Sequence, residues 1–224
     1  MAIKNIIFDC DGVLVDTVTP HYQIMSEYLT EHGITMTAAE IVARHSGAMW
    51  KSFFPILEKE FGVKLPESCY GDLRDAMLTY DRAVGLDACT DVEKLLRDPS
   101  FKKACASNSK TPTVKEHITN HGWNDVFETI VGVDLIDNPK PAPDIYLMAL
   151  EKAGFKPSET IVVEDSPTGV RAGKMAGMQV MAYTGVYPNK AERTALMKEA
   201  GADWVMDDYN EILEFLTGAA DKAA

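Results

Sequence analysis

The chain has 224 residues, enough for one large or two small domains and for an apolar core that needs no disulfide or metal staples. Apolar residues make up 46% and charged residues 25%, ordinary usage for a globular protein, and no apolar run approaches the ~18 residues of a spanning helix. The net charge of −12 argues against nucleic acid or an anionic membrane as a partner.

Residues 3–8 are short, apolar and β-branched, which predicts a buried strand, and no signal-peptide layout precedes them. Asp9 to Thr17 reads as a polar, glycine-bearing turn. Thr19-Pro20 predicts a helix N-cap with proline at the first helical position; Met25, Tyr28, Leu29 and His32 follow at helical spacing, and Gly33 closes the helix. Thr37 with Glu40 predicts a capping box, and helical patterns continue over 53–61 and 73–80. No strand is expected between about residues 16 and 87.

The second half alternates. Strands are expected at 102–106, 129–132, 160–164, 179–183 and 204–206, with helices near 111–121, 141–153, 167–176, 189–200 and 209–217. This pattern predicts an α/β fold, a doubly wound parallel sheet interrupted by a helical insertion. The expected division is a core of 1–15 and 88–224 with a helical cap of 16–87, hinged at 15–19 and 84–90 so that the cap opens and closes over a site. Cys10, Cys69, Cys89 and Cys105 are scattered without a CxxC pair, which suits reduced thiols and a cytoplasmic setting.

Open α/β sheets bind ligands beyond the carboxyl ends of their strands. Those positions hold Asp9 and Asp11 after the first strand, Ser107 and Asn108 after the second, Lys140 in the loop after the third, and Glu164 and Asp165 after the fourth. A carboxylate can attack phosphorus, and Asp9 is the candidate. Asp11 could protonate a leaving alcohol and then take a proton from water. Asp9 and Asp165 could hold a hard cation such as Mg2+. Ser107 and nearby amides could grip phosphate oxygens, and Lys140 could neutralise the phosphoryl charge. Cys10 is expected to point away, and His32, His45, His117 and His121 to sit on helix faces. His21, Trp50 and Lys51 are candidate substrate contacts from the cap.

Four segments, in order, resemble the motifs of the haloacid dehalogenase superfamily. They are Phe8-Asp9-Cys10-Asp11-Gly12-Val13-Leu14-Val15-Asp16-Thr17, Ala106-Ser107-Asn108, Asn138-Pro139-Lys140-Pro141-Ala142-Pro143-Asp144 and Val163-Glu164-Asp165-Ser166-Pro167-Thr168-Gly169. The resemblance implies a Rossmann-like core with a helical cap inserted after the first motif. It also implies magnesium held by the Asp9 side chain, the Asp11 backbone carbonyl and the Asp165 side chain, with Glu164 as ligand or close partner. Asp11 separates phosphoryl transfer from the superfamily's carbon–halogen chemistry.

The resulting expectation is Mg2+-dependent hydrolysis of a small phosphomonoester through an aspartyl-phosphate on Asp9, in a monomer or weak dimer. One alternative is a mutase like β-phosphoglucomutase, which matches His21 but has an arginine where this chain has Trp50, with Lys51 displaced by one position. The other is a catalytically silent phosphate-binding or regulatory module.

Overall fold

A computed structural model describes residues 3–45 and 50–218, with the side chains of residues 45 and 50–52 left undescribed. The first strand, β1 (Asn5–Phe8), is buried along its whole length. Its alternation sorts side chains to two faces: Ile6 and Phe8 pack in one core cluster, Ile7 in another. β1 feeds four helices, α1 (Val18–Glu31), α2 (Ala38–His45), α3 (Trp50–Phe61) and α4 (Cys69–Ala83). A short α5 (Val92–Arg97) then leads into the alternating half. This runs β2 (Lys102–Ser107), α6 (Thr111–Asn120), β3 (Phe127–Gly132), α7 (Asp144–Ala153), β4 (Thr160–Glu164) and α8 (Pro167–Met175), then β5 (Gln179–Tyr183), α9 (Lys190–Ala200), β6 (Trp204–Met206) and α10 (Tyr209–Thr217).

The six strands are all parallel, in the order β3-β2-β1-β4-β5-β6. The chain winds outward from β1 through β2 and β3, then returns to β1's other side at β4. The strand order therefore reverses between β1 and β4, the position where doubly wound sheets open a crevice for ligands.

The helical insertion between β1 and β2 carries an apolar cluster of its own. It includes Met25, Leu29, Ile41, Phe53, Leu57, Leu73 and Met77. The two chain segments that enter and leave the insertion pair with each other. Asp16 N donates to Asp87 O at 2.9 Å, and Cys89 N donates to Leu14 O at 2.9 Å. No described helix is long and apolar enough to cross a membrane.

Local chemistry explains where the elements depart from expectation. α1 starts at Val18, before the expected Thr19-Pro20, because Asp16 does the capping. Its carboxylate accepts from Thr19 N at 2.9 Å and from the Thr19 hydroxyl at 2.7 Å, and an ionised acceptor at a helix start outcompetes a hydroxyl. α7 starts at Asp144 and not at 141. Pro143 disfavours helical backbone at Ala142, so the helix starts beyond it. α5 was not expected, because its six residues are too few to display a helical period. The capping box before α2 forms as the spacing predicts: Thr37 N donates to Glu40 Oε2 at 2.8 Å, and Glu40 N to Thr37 Oγ1 at 3.2 Å.

Candidate active site

Four strand ends build the site. Asp9 follows β1 directly, and its backbone N–H donates to Val163 O at 2.9 Å, so the sheet ladder continues through it. Gly12 turns the chain away at φ +75° and lies against Asp165; a Cβ there would sit 2.2 Å from Asp165 Oδ2. Only glycine serves at this turn, because both the dihedral and the contact exclude a side chain.

Lys140 enters from the loop between β3 and α7, beside a cis peptide bond to Pro141. Its ammonium donates to Asp9 Oδ1 at 2.6 Å, Glu164 Oε1 at 2.6 Å and Ala106 O at 2.9 Å. Three acceptors match its three protons. Asn108 holds this loop, its Oδ1 accepting from Lys140 N at 3.1 Å.

Glu164 has both oxygens engaged. Oε1 accepts from Lys140 and from the Tyr146 hydroxyl at 2.9 Å. Oε2 accepts from Asp165 N and Ser166 N, each at 2.9 Å, and from Ser166 Oγ at 3.0 Å. Gly169 leaves room for it: a Cβ there would overlap the carboxylate, 1.7 Å from Oε1. Asp11 is held from the end of β2, its Oδ2 accepting from Ser107 Oγ at 2.8 Å and from Ser109 Oγ at 2.7 Å.

The charges do not balance. Asp9, Glu164 and Asp165 are buried together, with donor oxygens within 4.8 Å of one another. Burial works against the charge on Lys140, but Asp9 and Glu164 outweigh it and hold the ammonium protonated well above the usual lysine range. Burial also works against Glu164, but Lys140, Ser166 and Tyr146 keep its carboxyl below the usual range. Asp9 is pushed well up, first by burial, then by its carboxylate neighbours, with Lys140 opposing. Asp165 is pushed up to about 7, by burial and by Glu164 beside it. Among the described residues, the Lys140 ammonium and the Arg193 guanidinium at the Asp165 end thus face three buried carboxylates. An oxygen-only donor set with surplus negative charge fits a hard divalent cation, so the acidic triad can bind a metal.

These residues line a cavity of about 580 Å3 between the sheet edge and the helical insertion. His21 and Met25 of α1 and Met77 of α4 close it from above. A second cavity of about 610 Å3 lies beside Tyr187, near Asp16 and Asp87. Among the described residues no cationic side chain lines it, whereas Lys140 and Arg193 line the first.

The structure brings Asp9, Asp11, Ser107, Asn108, Lys140, Glu164 and Asp165 to one edge. Ser107 and Asn108 spend their side chains on Asp11 and on the Lys140 loop. His21 lines the cavity, its Nε2 hydrogen-bonded to Asp81 Oδ1 at 2.8 Å. The side chains of Trp50, Lys51 and His45 lie outside the described residues. Cys10 is buried in the apolar core, away from the cavity. His32 and His121 bond carbonyls of their own helices, Tyr28 O and His117 O, at 2.8 Å each.

Sequence reasoning missed Ser109, Tyr146, Tyr187 and Arg193. Tyr187 lies in the loop after β5, a strand end like those of the other site residues. Arg193 and Tyr146 lie on helices, where only packing brings them in.

The haloacid dehalogenase-like hydrolase family matches residues 6–183. YhcW of Bacillus subtilis, a phosphatase by name, is 31% identical over 88% of this chain and 89% of its own length. The fructose-1-phosphate phosphatase YqaB of Escherichia coli is 26% identical over 79% of this chain and 94% of its own. A crystal structure of a haloacid dehalogenase-like protein of unknown function from Agrobacterium tumefaciens superposes with a TM-score of 0.89 at 29% identity, covering 98% of this chain and 100% of that one. The chain belongs to the haloacid dehalogenase-like hydrolase family, among its phosphatases.

Proposed function

We propose that the protein hydrolyses a small phosphomonoester, of the sugar-phosphate class, with Asp9 as nucleophile, Asp11 as general acid and base, and Mg2+ as cofactor. The observation that carries this reading is the meeting of Asp9, Lys140 and Asp165 at the β1/β4 switch point, with Asp11 held two residues from the nucleophile. The sugar-phosphate class rests on YqaB, named for a phosphorylated sugar.

The steps follow from the side chains. A carboxylate oxygen of Asp9 attacks phosphorus, and the ester P–O bond breaks as the acyl phosphate forms. Asp11 gives its proton to the departing alcohol oxygen. It then takes a proton from water, which attacks phosphorus; the bond to Asp9 breaks and inorganic phosphate leaves. Lys140 lies against Asp9 throughout and offsets the charge that builds on the phosphoryl oxygens. Ser107 and Ser109 keep the Asp11 carboxyl aimed. Asp9, Asp165 and the Asp11 carbonyl would hold magnesium, which when bound supplies positive charge to the phosphoryl oxygens. With both its oxygens engaged, Glu164 serves as the frame that fixes Lys140 and the Asp165–Ser166 backbone. Residues 16–87 act as the cap, hinged where Asp16 meets Asp87, and His21 faces the substrate from it.

The test is phosphate release from a panel of phosphomonoesters with magnesium, with chelator, and with Asp9→Asn. Wild type should turn over only with metal, chelation should be reversible, and Asp9→Asn should stay folded without turnover. Wild-type turnover in Asp9→Asn would refute the nucleophile. Transfer of phosphate between hydroxyls of a β-glucose phosphate, supported by the bisphosphate, would favour a mutase.

A further inference from the structure

Asp165 is tied at two points to the stretch after β5, by Tyr187 in the loop and by Arg193 on α9. The Tyr187 hydroxyl donates to its Oδ2 at 2.6 Å, and an Arg193 guanidinium nitrogen donates to its backbone carbonyl. The two outside residues are themselves coupled. The same Arg193 nitrogen donates to the Tyr187 hydroxyl at 2.8 Å, and the guanidinium lies 3.8 Å over the Tyr187 ring. The other side of the ring's surroundings is the helical insertion: Tyr187 packs with Val18 of α1 and Val42 of α2.

Arg193 is only 6% exposed, and its Nε is the one buried side-chain polar atom without a partner among the described residues. A buried donor left unpaired is costly. Self-satisfaction therefore does not explain this placement. What the guanidinium does accomplish is to fix Tyr187 and the Asp165 backbone.

We infer that Tyr187 and Arg193 are positioning residues that hold Asp165 in the orientation that receives the magnesium ion. This rests on Asp165 being a metal ligand, as proposed above. The tyrosine takes Oδ2 and leaves Oδ1 for the cation, so the carboxylate cannot turn both oxygens inward. Because its ring sits against α1 and α2, the aim of this metal carboxylate depends on the helical insertion as well as on the core. Hydrogen-bonded partners of metal ligands typically carry about 10–100-fold of metal affinity.

Magnesium titrated calorimetrically into wild type, Tyr187→Phe, Arg193→Lys and Asp165→Asn tests this, with phosphate release followed against magnesium concentration. Tyr187→Phe keeps the ring and its packing. It should bind magnesium about 10–100-fold more weakly and regain turnover at saturating metal, and Arg193→Lys should shift the same way. Wild-type affinity in Tyr187→Phe would overturn the inference, whether or not its melting temperature or turnover changes. Wild-type affinity in Asp165→Asn would instead overturn the reading of Asp165 as a ligand, so the two failures are distinct.

Discussion

Lys140→Met removes the only ammonium among the described residues that touches the carboxylate cluster, while keeping an apolar stem of similar length. The lysine side chain is 3% exposed and sits 2.6 Å from both Asp9 Oδ1 and Glu164 Oε1. Those two oxygens therefore lie no more than about twice that distance apart. Two unit charges ~5 Å apart repel by about 3 kcal/mol at an effective dielectric of ~20. This agrees with the ~3–5 kcal/mol lost when one partner of a buried pair is removed. Above neutral pH the variant should be destabilised by about that much. Its kcat should fall by about 100- to 1,000-fold, the usual cost of one lost donor at developing charge.

The pH dependence provides an independent check. In wild type the Glu164 carboxyl is held below its ordinary value. Its contribution is present above the unfolded pKa and lost as pH falls through the folded one. In the variant burial loses its main opponent, Lys140, with only the hydrogen bonds from Ser166 and Tyr146 remaining, and the folded state holds a proton that the unfolded chain has lost. The deficit should then be largest at pH 8 and shrink toward pH 5. Urea unfolding across that range, with p-nitrophenyl phosphate turnover at saturating magnesium, reads both effects. A kcat within about tenfold of wild type, or a stability deficit independent of pH, would refute the electrostatic reasoning.

Asp11→Asn should slow alkyl phosphates far more than p-nitrophenyl phosphate, whose leaving group needs no proton; equal slowing of both would remove Asp11 from the role of acid. Gly169→Ala would place a Cβ 1.7 Å from Glu164 Oε1, so it should displace that carboxylate and lower both turnover and melting temperature. Gly71→Ala, on α4 with nothing within 4 Å of the added carbon, should instead leave turnover unchanged and stabilise by up to ~1 kcal/mol in the same assays.

The β-strands were the most legible part of the chain. β4, β5 and β6 have the expected limits, because buried parallel strands are short apolar runs bounded by polar residues. Helix starts at 111, 167 and 209 also fall where expected, but Asp16 moved the start of α1 and Pro143 that of α7 by competition that a window of propensities does not resolve.

Asp9, Asp11, Lys140, Glu164 and Asp165 could be named from the sequence because each follows a strand, and parallel strands deliver their ends to one edge. Sequence alone thus determined that these five meet at that edge, in a chain of the haloacid dehalogenase-like family. Only the tertiary structure decided how each is held. Glu164 is saturated by Lys140, Tyr146 and the Asp165–Ser166 backbone, Asp11 is gripped by Ser107 and Ser109, and Asp165 is tied to Tyr187 and Arg193. Apart from the adjacent Asp165–Ser166 backbone, these partners come from helices and loops distant in the chain. Hydrogen bonds between them depend on ångström-scale packing, which no spacing along the sequence encodes.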